Sequence, residues 1–493
     1  MNLEECIMRH GVGLVLVAVL GGCAVGPDYQ APEFALPEHY HAVDGDAVEG
    51  DAADGVPEGE AFPDAQWWAS FHDPLLNRLI EQSVAQNHDV LQAMSRINQS
   101  RALARAAFAE LLPGVQLSAA YQKGEDSGAR FPGGGDREQG PSGFEFEVWS
   151  GSIDALWEID LFGRLRRTYE AREAEYEASV AELRDTLRVV VAEVAMTYFD
   201  LRGAQASLRI AEKNLELQQE NLALTQAKFE AGAVSEFDAA GARAELESLR
   251  AAVPTLEAEV RVAIHRLSVL LGAQPNTLAG ELSSPLPLPR YAGPVEIVQP
   301  TELIRRRPDL QAAERVLAGQ TALIGAAIAE LYPKIQLQGT LGVEASDFAD
   351  LTKGVGTYTY GPTISWTPFD SGRLRALVRA QDERANEALV AYEQAVLRAL
   401  EDVENALVRF GAERVRVARL SAAVEAAERA HYIAQEQYRE GVTDFATVLL
   451  AQRTVLESER SLVDSEQNLA TALVGIYKAF GGGWEHWSLA EAS

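Results

Sequence analysis

The chain has 493 residues, 24% of them charged and 47% hydrophobic, so it is long enough to bury a large core or to form several layers. Its formal net charge of −30 argues against a nucleic-acid partner, because the phosphates would be repelled. The charge does not identify a substrate, and a solvated acidic surface is its simplest interpretation.

The first feature along the chain is a short apolar segment, residues 11–22, that ends at Cys23. It is too short to span a bilayer, which needs about 20 residues. Small residues directly before the cysteine resemble a bacterial lipobox at the end of a secretory signal. We therefore predict a signal peptide over residues 1–22. Cys23 then begins the mature protein and carries an N-palmitoyl group and an S-diacylglycerol.

The two cysteines agree with this prediction. Cys6 would be removed with the leader and Cys23 would be acylated, which leaves no thiol for a disulfide, a metal or catalysis. Glu4 and Glu5 are unusual in a leader, and Met8 would be a better start. Whether residues 1–7 are translated therefore stays open.

Residues 23–66 follow as a lipidated strap and an acidic linker. The part over 41–64 consists mostly of Ala, Asp, Glu, Gly and Val, with no aromatic residue before Phe62. Such a segment cannot bury enough apolar area to fold by itself. We predict that it connects the anchor to the body of the protein.

Beyond the linker, one design occurs twice, and self-similarity at a long period determines the architecture. The paired segments are Ala109–Leu117 and Ala329–Leu337, Asp160–Arg166 and Phe369–Arg375, and Phe229–Gly232 and Tyr438–Gly441. We predict a first repeat over 67–298, a second over 299–484, and a C-terminal tail over 485–493.

Each repeat opens with a helix that stops before a proline. The first is predicted from Asp73, an N-cap followed by proline, to Leu111, and the second from Pro308 to Leu331.

Two segments in each repeat alternate between apolar and polar residues. They are Val115–Tyr121, 144–160, Ile335–Glu344 and 357–366. Aromatic residues on one face and small hydroxyls on the other are typical of a lipid-facing, water-lined barrel. For the strands alone, an ordinary half-buried sheet stays open as the alternative. The phase flips near Gly151, which predicts a bulge or two different environments.

Very long helices follow the strands. Residues 164–230 and 373–440 contain no proline, and each would be about 100 Å long if helical throughout. Their apolar residues recur at mixed steps of three, four and seven, as in a coiled-coil seam. Helices over 235–271 and 443–480 are predicted to pack back on them, with a kink or break at Pro254.

Four strands per chain cannot close a barrel, and open strand edges are not tolerated in lipid. Three chains and twelve strands are the simplest closed solution with room for a lumen. The predicted fold class is thus an α+β membrane protein. Its four strands per chain complete a trimeric transmembrane barrel that continues as a long periplasmic α-helical barrel.

No enzyme, metal site or cofactor is expected. The sequence contains no catalytic constellation, and its eight histidines are scattered without metal-ligand spacing.

Several segments together resemble the outer-membrane efflux protein family, the TolC-like ducts, and specifically the lipoprotein branch that includes OprM and NodT. The segments that carry this resemblance are Cys23–Tyr29, Phe71–Leu75, Asn87–Val90, Trp157–Arg164, and Arg306–Leu310 with Ala313 and Glu314. The resemblance covers nearly everything after Gly21.

The resemblance implies a homotrimeric, lipid-anchored duct in the bacterial outer membrane that extends into the periplasm. It would dock on a periplasmic adaptor protein and serve an inner-membrane RND-type pump that exports drugs or other small molecules. A protein-secretion duct of type I is the alternative transport function. A structural periplasmic coiled-coil lipoprotein is the alternative from another class.

The resemblance also implies a gate at the helix-tip turns of Gly232 and Gly441. TolC-like ducts are held shut there by links between a tyrosine and an aspartate of the other copy, at positions that match Tyr438 and Asp238. We therefore predict a hydrogen bond between Tyr438 and Asp238 in the closed duct.

The acids that ring the entrance in relatives are replaced here by Thr447 and Leu450, and a basic position is Thr443. Asp444 is either a substitute acid near the mouth or a solvated helix-end charge. Glu236 and Glu440 are either further substitutes or solvated helix-end charges.

Overall fold

The computed structural model describes residues 24–41, 65–126, 144–289, 291, 297 and 299–487. The predicted signal peptide, Cys23 and nearly all of the acidic linker therefore lie outside the described residues. The helices are α1 Pro74–Gln86, α2 His88–Ala109, α3 Arg164–Glu230, α4 Glu236–Leu270, α5 Ala279–Leu282, α6 Pro300–Arg306, α7 Pro308–Ala329, α8 Arg373–Arg439 and α9 Phe445–Ala479. Short 3₁₀ helices span Trp67–Phe71 and Phe348–Lys353.

The chain divides into two compact units, and each unit draws on both sequence repeats. The first unit is Met1–Pro32, Asn98–Ala178 and Glu314–Ala391, and the second is Glu33–Ile97, Ser179–Ala313 and Tyr392–Ser493. The predicted repeats are thus a division of the sequence, whereas the compact units are a different division of the fold.

The first unit contains a four-stranded antiparallel sheet in the order β1-β2-β3-β4. The strands are β1 Gly114–Asp126, β2 Phe144–Ile159, β3 Lys334–Ala345 and β4 Val355–Ser365. All four predicted strand segments are confirmed. Antiparallel pairing follows from their short connections within each repeat.

The register places the alternating apolar residues of all four strands on one face. Leu117 pairs with Ile153, Ile153 with Leu341, and Leu341 with Tyr358. The neighbouring row of polar residues therefore lies on the other face.

Of the two alternatives predicted near Gly151, a bulge or two different environments, the bulge is not formed. Pairing runs without interruption through Gly151, which lies opposite Ala119 on one side and Val343 on the other. The apolar residues of β2 instead move from one face of the sheet to the other along the strand, since Phe146 lies on the same face as Asp154.

The first helix is interrupted, contrary to the prediction of one helix over 73–111. Asn87 is extended, and its side-chain oxygen accepts hydrogen bonds from the backbone N–H groups of Asp89 (2.8 Å) and Val90 (3.3 Å). Its amide also donates to the Leu270 carbonyl oxygen at 2.9 Å. Asn87 thus caps α2 and starts a second helix.

Of the kink or break predicted at Pro254, the break does not occur, since α4 is continuous from Glu236 to Leu270. Proline removes one backbone hydrogen bond from a helix interior. Buried Leu249 and Leu256 lie on either side of it, so packing holds the helix together across this position.

The two repeats correspond down to individual contacts. The Trp157 indole donates to the Leu111 carbonyl oxygen at 3.0 Å, and the Trp366 indole donates to the Leu331 carbonyl oxygen at 3.0 Å. Each tryptophan thus ties the end of a strand to the turn that follows the preceding helix.

In the second unit, the Arg-Pro-Asp-Leu segment has a structural role. Arg307 is buried, and its guanidinium contacts Asp309 at 2.7 Å and Asp402 at 3.1 Å. It also donates to the Ala479 carbonyl oxygen at 3.2 Å, so it joins the start of α7 to α8 and α9.

Among the described residues, no helix is both long enough and apolar enough to cross a membrane.

Candidate functional site

The candidate site lies where α3 turns into α4 and where α8 turns into α9. Gly232 and Gly441 both have positive φ, 73° and 77°. The Ala233 N–H donates to the Lys228 carbonyl oxygen, and the Val442 N–H donates to the Gln437 carbonyl oxygen, each at 2.8 Å. Both long helices therefore end in the same glycine-dependent motif, at the two turns indicated by the sequence.

Each helix that follows these turns is capped by a hydroxyl residue and an aspartate three positions apart, with the hydroxyl residue first in α4 and the aspartate first in α9. Ser235 caps α4, and the carboxylate of Asp238 accepts from the Ser235 N–H (3.0 Å) and hydroxyl (2.7 Å). Asp444 caps α9 and accepts from the N–H (2.9 Å) and hydroxyl (2.7 Å) of Thr447. The Thr447 hydroxyl and N–H both lower the pKa of Asp444.

Tyr438 is the central side chain of this region. It is only 7% exposed and belongs to an apolar cluster with Ala242, Ala434, Phe445 and Val448. Its ring centroid lies 5.7 Å from that of Phe445. Burial raises the pKa of the Tyr438 phenol, so the hydroxyl stays protonated and able to donate.

Lys228 covers the Tyr438 ring from the end of α3. Its Nζ atom lies 3.7 Å from the ring centroid and 3.4 Å from the Tyr438 carbonyl oxygen. A lysine so placed interacts with both the π face and the end of α8. This lysine was missed by the sequence reasoning, although it lies four residues before Gly232.

The predicted hydrogen bond between Tyr438 and Asp238 is not formed within the chain. The Asp238 carboxylate instead accepts hydrogen bonds from Ser235, and the buried Tyr438 hydroxyl forms no hydrogen bond of normal geometry among the described residues. The Thr225 hydroxyl also lacks a hydrogen bond of normal geometry, but it lies close enough to the phenol to lower the pKa of Tyr438 in part. The negative charge of Asp238 contributes only a smaller rise in the pKa of Tyr438.

Polar contacts join the first hairpin to the second. The Arg453 guanidinium on α9 contacts the Glu245 carboxylate on α4 through Nε (2.9 Å) and through Nη2. The Asn221 amide on α3 donates to the Gln452 side-chain oxygen at 3.1 Å. Glu245 is nearly buried, so its pairing matters more than that of a surface carboxylate. Sequence reasoning missed these four residues; a glutamate on the apolar stripe of α4 was the available signal.

Thr447 and Leu450, the two positions at which the resemblance places entrance acids, differ in their surroundings. Thr447 takes part in the cap of α9, and Leu450 is exposed. Phe237 and Val442 are exposed beside the turns, while Glu236 and Glu440 are exposed helix-end charges. No group of three or more potential metal ligands occurs in the described part of the chain.

The apolar face of the sheet is a second distinctive surface, because it is exposed. Tyr360 is 80% and Leu117 is 79% exposed, and other large apolar side chains of this face are also open. Patches of this size mark a surface that contacts lipid or protein. The opposite face carries Gln, Ser and Thr at the alternating positions.

An exposed apolar sheet face together with two long helical hairpins defines a class of protein, the α+β channels of the outer membrane. In that fold, four strands from each of three chains complete one transmembrane barrel, which continues as a periplasmic helical barrel. These proteins are transport ducts and not enzymes.

The chain belongs to the outer membrane efflux protein family, whose model matches residues 79–273 and 300–482. It is 31% identical to Nodulation protein T of Rhizobium leguminosarum bv. trifolii, over 88% of this chain and 89% of that protein. It is 30% identical to the antibiotic efflux pump outer membrane protein ArpC of Pseudomonas putida, over 95% and 94%. The solved outer-membrane channel OprN matches with a TM-score of 0.84 and 38% identity, covering 94% of this chain and all of OprN.

Proposed function

We propose that the protein is the exit duct of a tripartite efflux system and carries drugs or other small molecules across the outer membrane. The observation that carries this proposal is the exposed apolar sheet face in a chain of the efflux family. Relatives named for antibiotic efflux support small-molecule export over type I protein secretion. The exposed sheet face argues against a structural coiled-coil lipoprotein, which would not need one.

The direct test is electrical. Purified protein reconstituted in planar bilayers is expected to give discrete conductance steps and to migrate as a heat-modifiable oligomer of about three chain masses. A membrane-inserted monomer, or preparations that never conduct, would contradict the channel. Deletion of the gene should also increase the sensitivity of cells to exported compounds.

The assembly that we infer is a homotrimer of this chain with two further components, an adaptor and a pump. A homotrimer is needed because the sheet of one chain has two free edges, β1 and β4, and unpaired strand edges cost several kcal/mol per group in lipid. A periplasmic adaptor would contact the exposed tip residues Phe237, Val442 and Leu450. An RND-type pump in the inner membrane would drive export. Cross-linking from position 237 to a co-expressed adaptor tests the proposed contact between the helix tips and the adaptor.

Lipid attachment at Cys23 is part of the same proposal. Acyl chains contribute about 0.8 kcal/mol per buried methylene, so two or three chains hold a protein firmly on the outer membrane. Cys23→Ser is expected to abolish palmitate labelling, and labelling that persists would refute the lipobox. Export is expected to survive this change, because the barrel itself is membrane-inserted.

We infer that the helix tips form the periplasmic gate, with Gly232 and Gly441 as turns and Tyr438 as the main closing side chain. Asp238 and Asp444 support it by capping the helices that leave the turns. In place of the tyrosine–aspartate bond, the contacts of Lys228 with Tyr438 and of Arg453 with Glu245 join the two hairpins. Thr447 and Leu450 follow on α9 and are uncharged. Asp444 is therefore the exposed acid at the start of this helix.

The gate is tested by Lys228→Met, which keeps the length of the side chain and removes its charge. A cation–π contact is worth about 0.5–2 kcal/mol, and three copies act in a trimer. The open-channel fraction in bilayers should therefore rise. Arg439→Met removes an exposed cation near the second turn whose ion pair with Glu436 lies within α8, and as the matched control it should leave the open fraction unchanged. Equal behaviour of the two variants would show that Lys228 does not hold the gate.

A further inference from the structure

The polar face of the sheet carries one charged residue in the middle of its span, Asp154. Its row across the four strands is Gln116, Asp154, Thr340 and Thr359, and the other three members are neutral. The rows on either side in sequence, through Ile153 and Ala155, belong to the apolar face. A charge at this position therefore points away from the lipid-facing surface.

Aromatic residues on the opposite face give the depth of Asp154. Trp149 contacts Tyr121 and Phe348, with ring centroids 4.5 and 5.1 Å apart, and lies five residues before Asp154. Trp157 lies three residues after it. At about 3.3 Å per residue the two tryptophans are about 26 Å apart along the strand. At a strand tilt of about 40° this is about 20 Å along the membrane normal, which fits within the apolar band of about 25 Å of outer-membrane barrels. Asp154 thus lies within the membrane span.

The Asp154 carboxylate is held in place by hydroxyls and not by a cation. Ser152 donates to Oδ2 and Thr340 donates to Oδ1, each at 2.8 Å. Hydroxyl donors orient a carboxylate without cancelling its charge. A charged side chain at this depth requires water, a paired charge or the interior of a pore.

No cation on the described strands is available to neutralise it. The strands contain two basic residues, Lys123 and Lys334. Lys123 lies in the outer part of β1 on the opposite face and pairs with Glu147 at 2.6 Å. Lys334 lies at the start of β3 and pairs with Glu330 at 2.8 Å. The Glu158 carboxylate, near the end of β2, pairs with Arg164 at 3.0 Å. The middle of the polar face is therefore negative.

We propose that Asp154 makes the outer-membrane part of the pore selective for cations over anions. The proposal rests on the channel function proposed above, because only a closed trimer places three copies of Asp154 around one lumen. Rings of acidic side chains select cations by raising their local concentration and repelling anions. The proposal assigns the selectivity to the barrel and not to the helix tips, where Asp444 is the competing exposed acid.

The test measures the reversal potential of reconstituted protein in planar bilayers under a tenfold KCl gradient. Asp154→Asn preserves size and keeps one acceptor oxygen, with an NH2 that can donate to the other hydroxyl, and it is expected to lower the cation-to-anion permeability ratio about twofold. The difference should grow at low salt, because the Debye length rises from about 10 Å at 0.1 M to about 30 Å at 0.01 M. Glu147→Gln, which removes a carboxylate on the opposite face, is the matched control and should leave the ratio unchanged.

A second variant avoids any change at Asp154 itself. Gln116→Lys places a positive charge directly opposite Asp154 in the register and should shift the ratio in the same direction. The inference is overturned if conducting channels of both variants keep the wild-type ratio, or if Asp444→Ser, which keeps a capping residue, lowers the ratio while Asp154→Asn does not. Wild-type protein that does not conduct would refute the channel itself, a different result from conduction with unchanged selectivity.

Discussion

The α3–α4 hairpin and the α8–α9 hairpin turn on the same backbone motif, yet they bury different side chains. Phe229 and Tyr438 both lie three residues before the turn glycine, but Phe229 is 41% exposed whereas Tyr438 is 7% exposed. Near the start of the next helix, Phe237 is exposed and Phe445 is buried. The first hairpin instead contributes the small, fully buried Ala242, against which the aromatic residues of the second hairpin pack.

This difference shows that the two repeats share the turn motif but contribute different residues to the packed cluster, large aromatic side chains from the second hairpin and a small alanine from the first. Glycine at a positive φ is a local requirement, so both copies keep it. Aromatic packing requires a partner surface, and a small residue on one hairpin accommodates a large one on the other. The aromatic residues of the first hairpin are thereby left exposed, where a partner protein can contact them.

Truncating the two equivalent aromatic residues gives the largest expected contrast. Tyr438→Ala should lower the free energy of local unfolding of α8 and α9 by about 3–5 kcal/mol, as for other buried aromatic side chains. Phe229→Ala should lower it by about 0.5 kcal/mol or less. Hydrogen exchange of the backbone amides near both turns measures this. Equal losses would show that the assembled protein buries both residues alike.

The turn glycines should respond equally, since the backbone motif is shared. Alanine at Gly232 or at Gly441 would meet no atom within 4 Å, so steric collision is not expected. The cost is that of a left-handed conformation, about 1–2 kcal/mol for each substitution. Protease cleavage near each turn should increase to a similar degree. A marked difference between the two variants would mean that one turn is supported by contacts that the other lacks.

Removing the ion pair between the hairpins should have a smaller effect. Arg453 is more than half exposed, so we expect Arg453→Gln to cost about 1 kcal/mol, which would raise the open-channel fraction several-fold. Arg250→Gln removes an exposed pair with Glu247 within α4 and serves as the control. An equal rise in both variants would indicate general weakening of the helices and not separation of the hairpins.

The smallest change is expected from Tyr438→Phe, which keeps the ring and removes only the hydroxyl. That hydroxyl is buried and forms no hydrogen bond of normal geometry among the described residues, so its loss should alter the closed state by no more than about 0.5 kcal/mol. Single-channel recordings of this variant should match the wild type. A large increase in conductance would instead reveal a hydrogen bond formed in the assembled trimer, such as the predicted link to Asp238.

Much of the fold could be predicted because its signals are local. Alternation along 357–366 marked β4, the absence of proline marked α3 and α8, and the two glycines marked the turns. The failures share a cause as well. At Pro254 and Gly151 a local signal for a break was present, but packing and continuous strand pairing kept the elements intact. At Asn87 the side chain bonds to Leu270, a residue far along the chain.

The candidate site was predictable only in part. The turns and their capping residues follow from short-range patterns, since a cap acts within three residues. The partner of Asp238 could not be predicted, because Ser235 competes for the same carboxylate and the outcome depends on geometry. The contacts of Lys228 with Tyr438 and of Arg453 with Glu245 join residues more than 200 positions apart.

The sequence by itself determined the repeat, the four strands, the long helices and the family, because each of these depends on periodicity or on short motifs read along the chain. Only the tertiary structure decided which side chains meet. It brought Lys228 over Tyr438, paired Arg453 with Glu245, and placed Asp154 in a row of otherwise neutral residues on the polar face. The physical reason is that helix packing and strand register are collective: they minimise exposed apolar surface over the whole molecule, and no single segment encodes that balance.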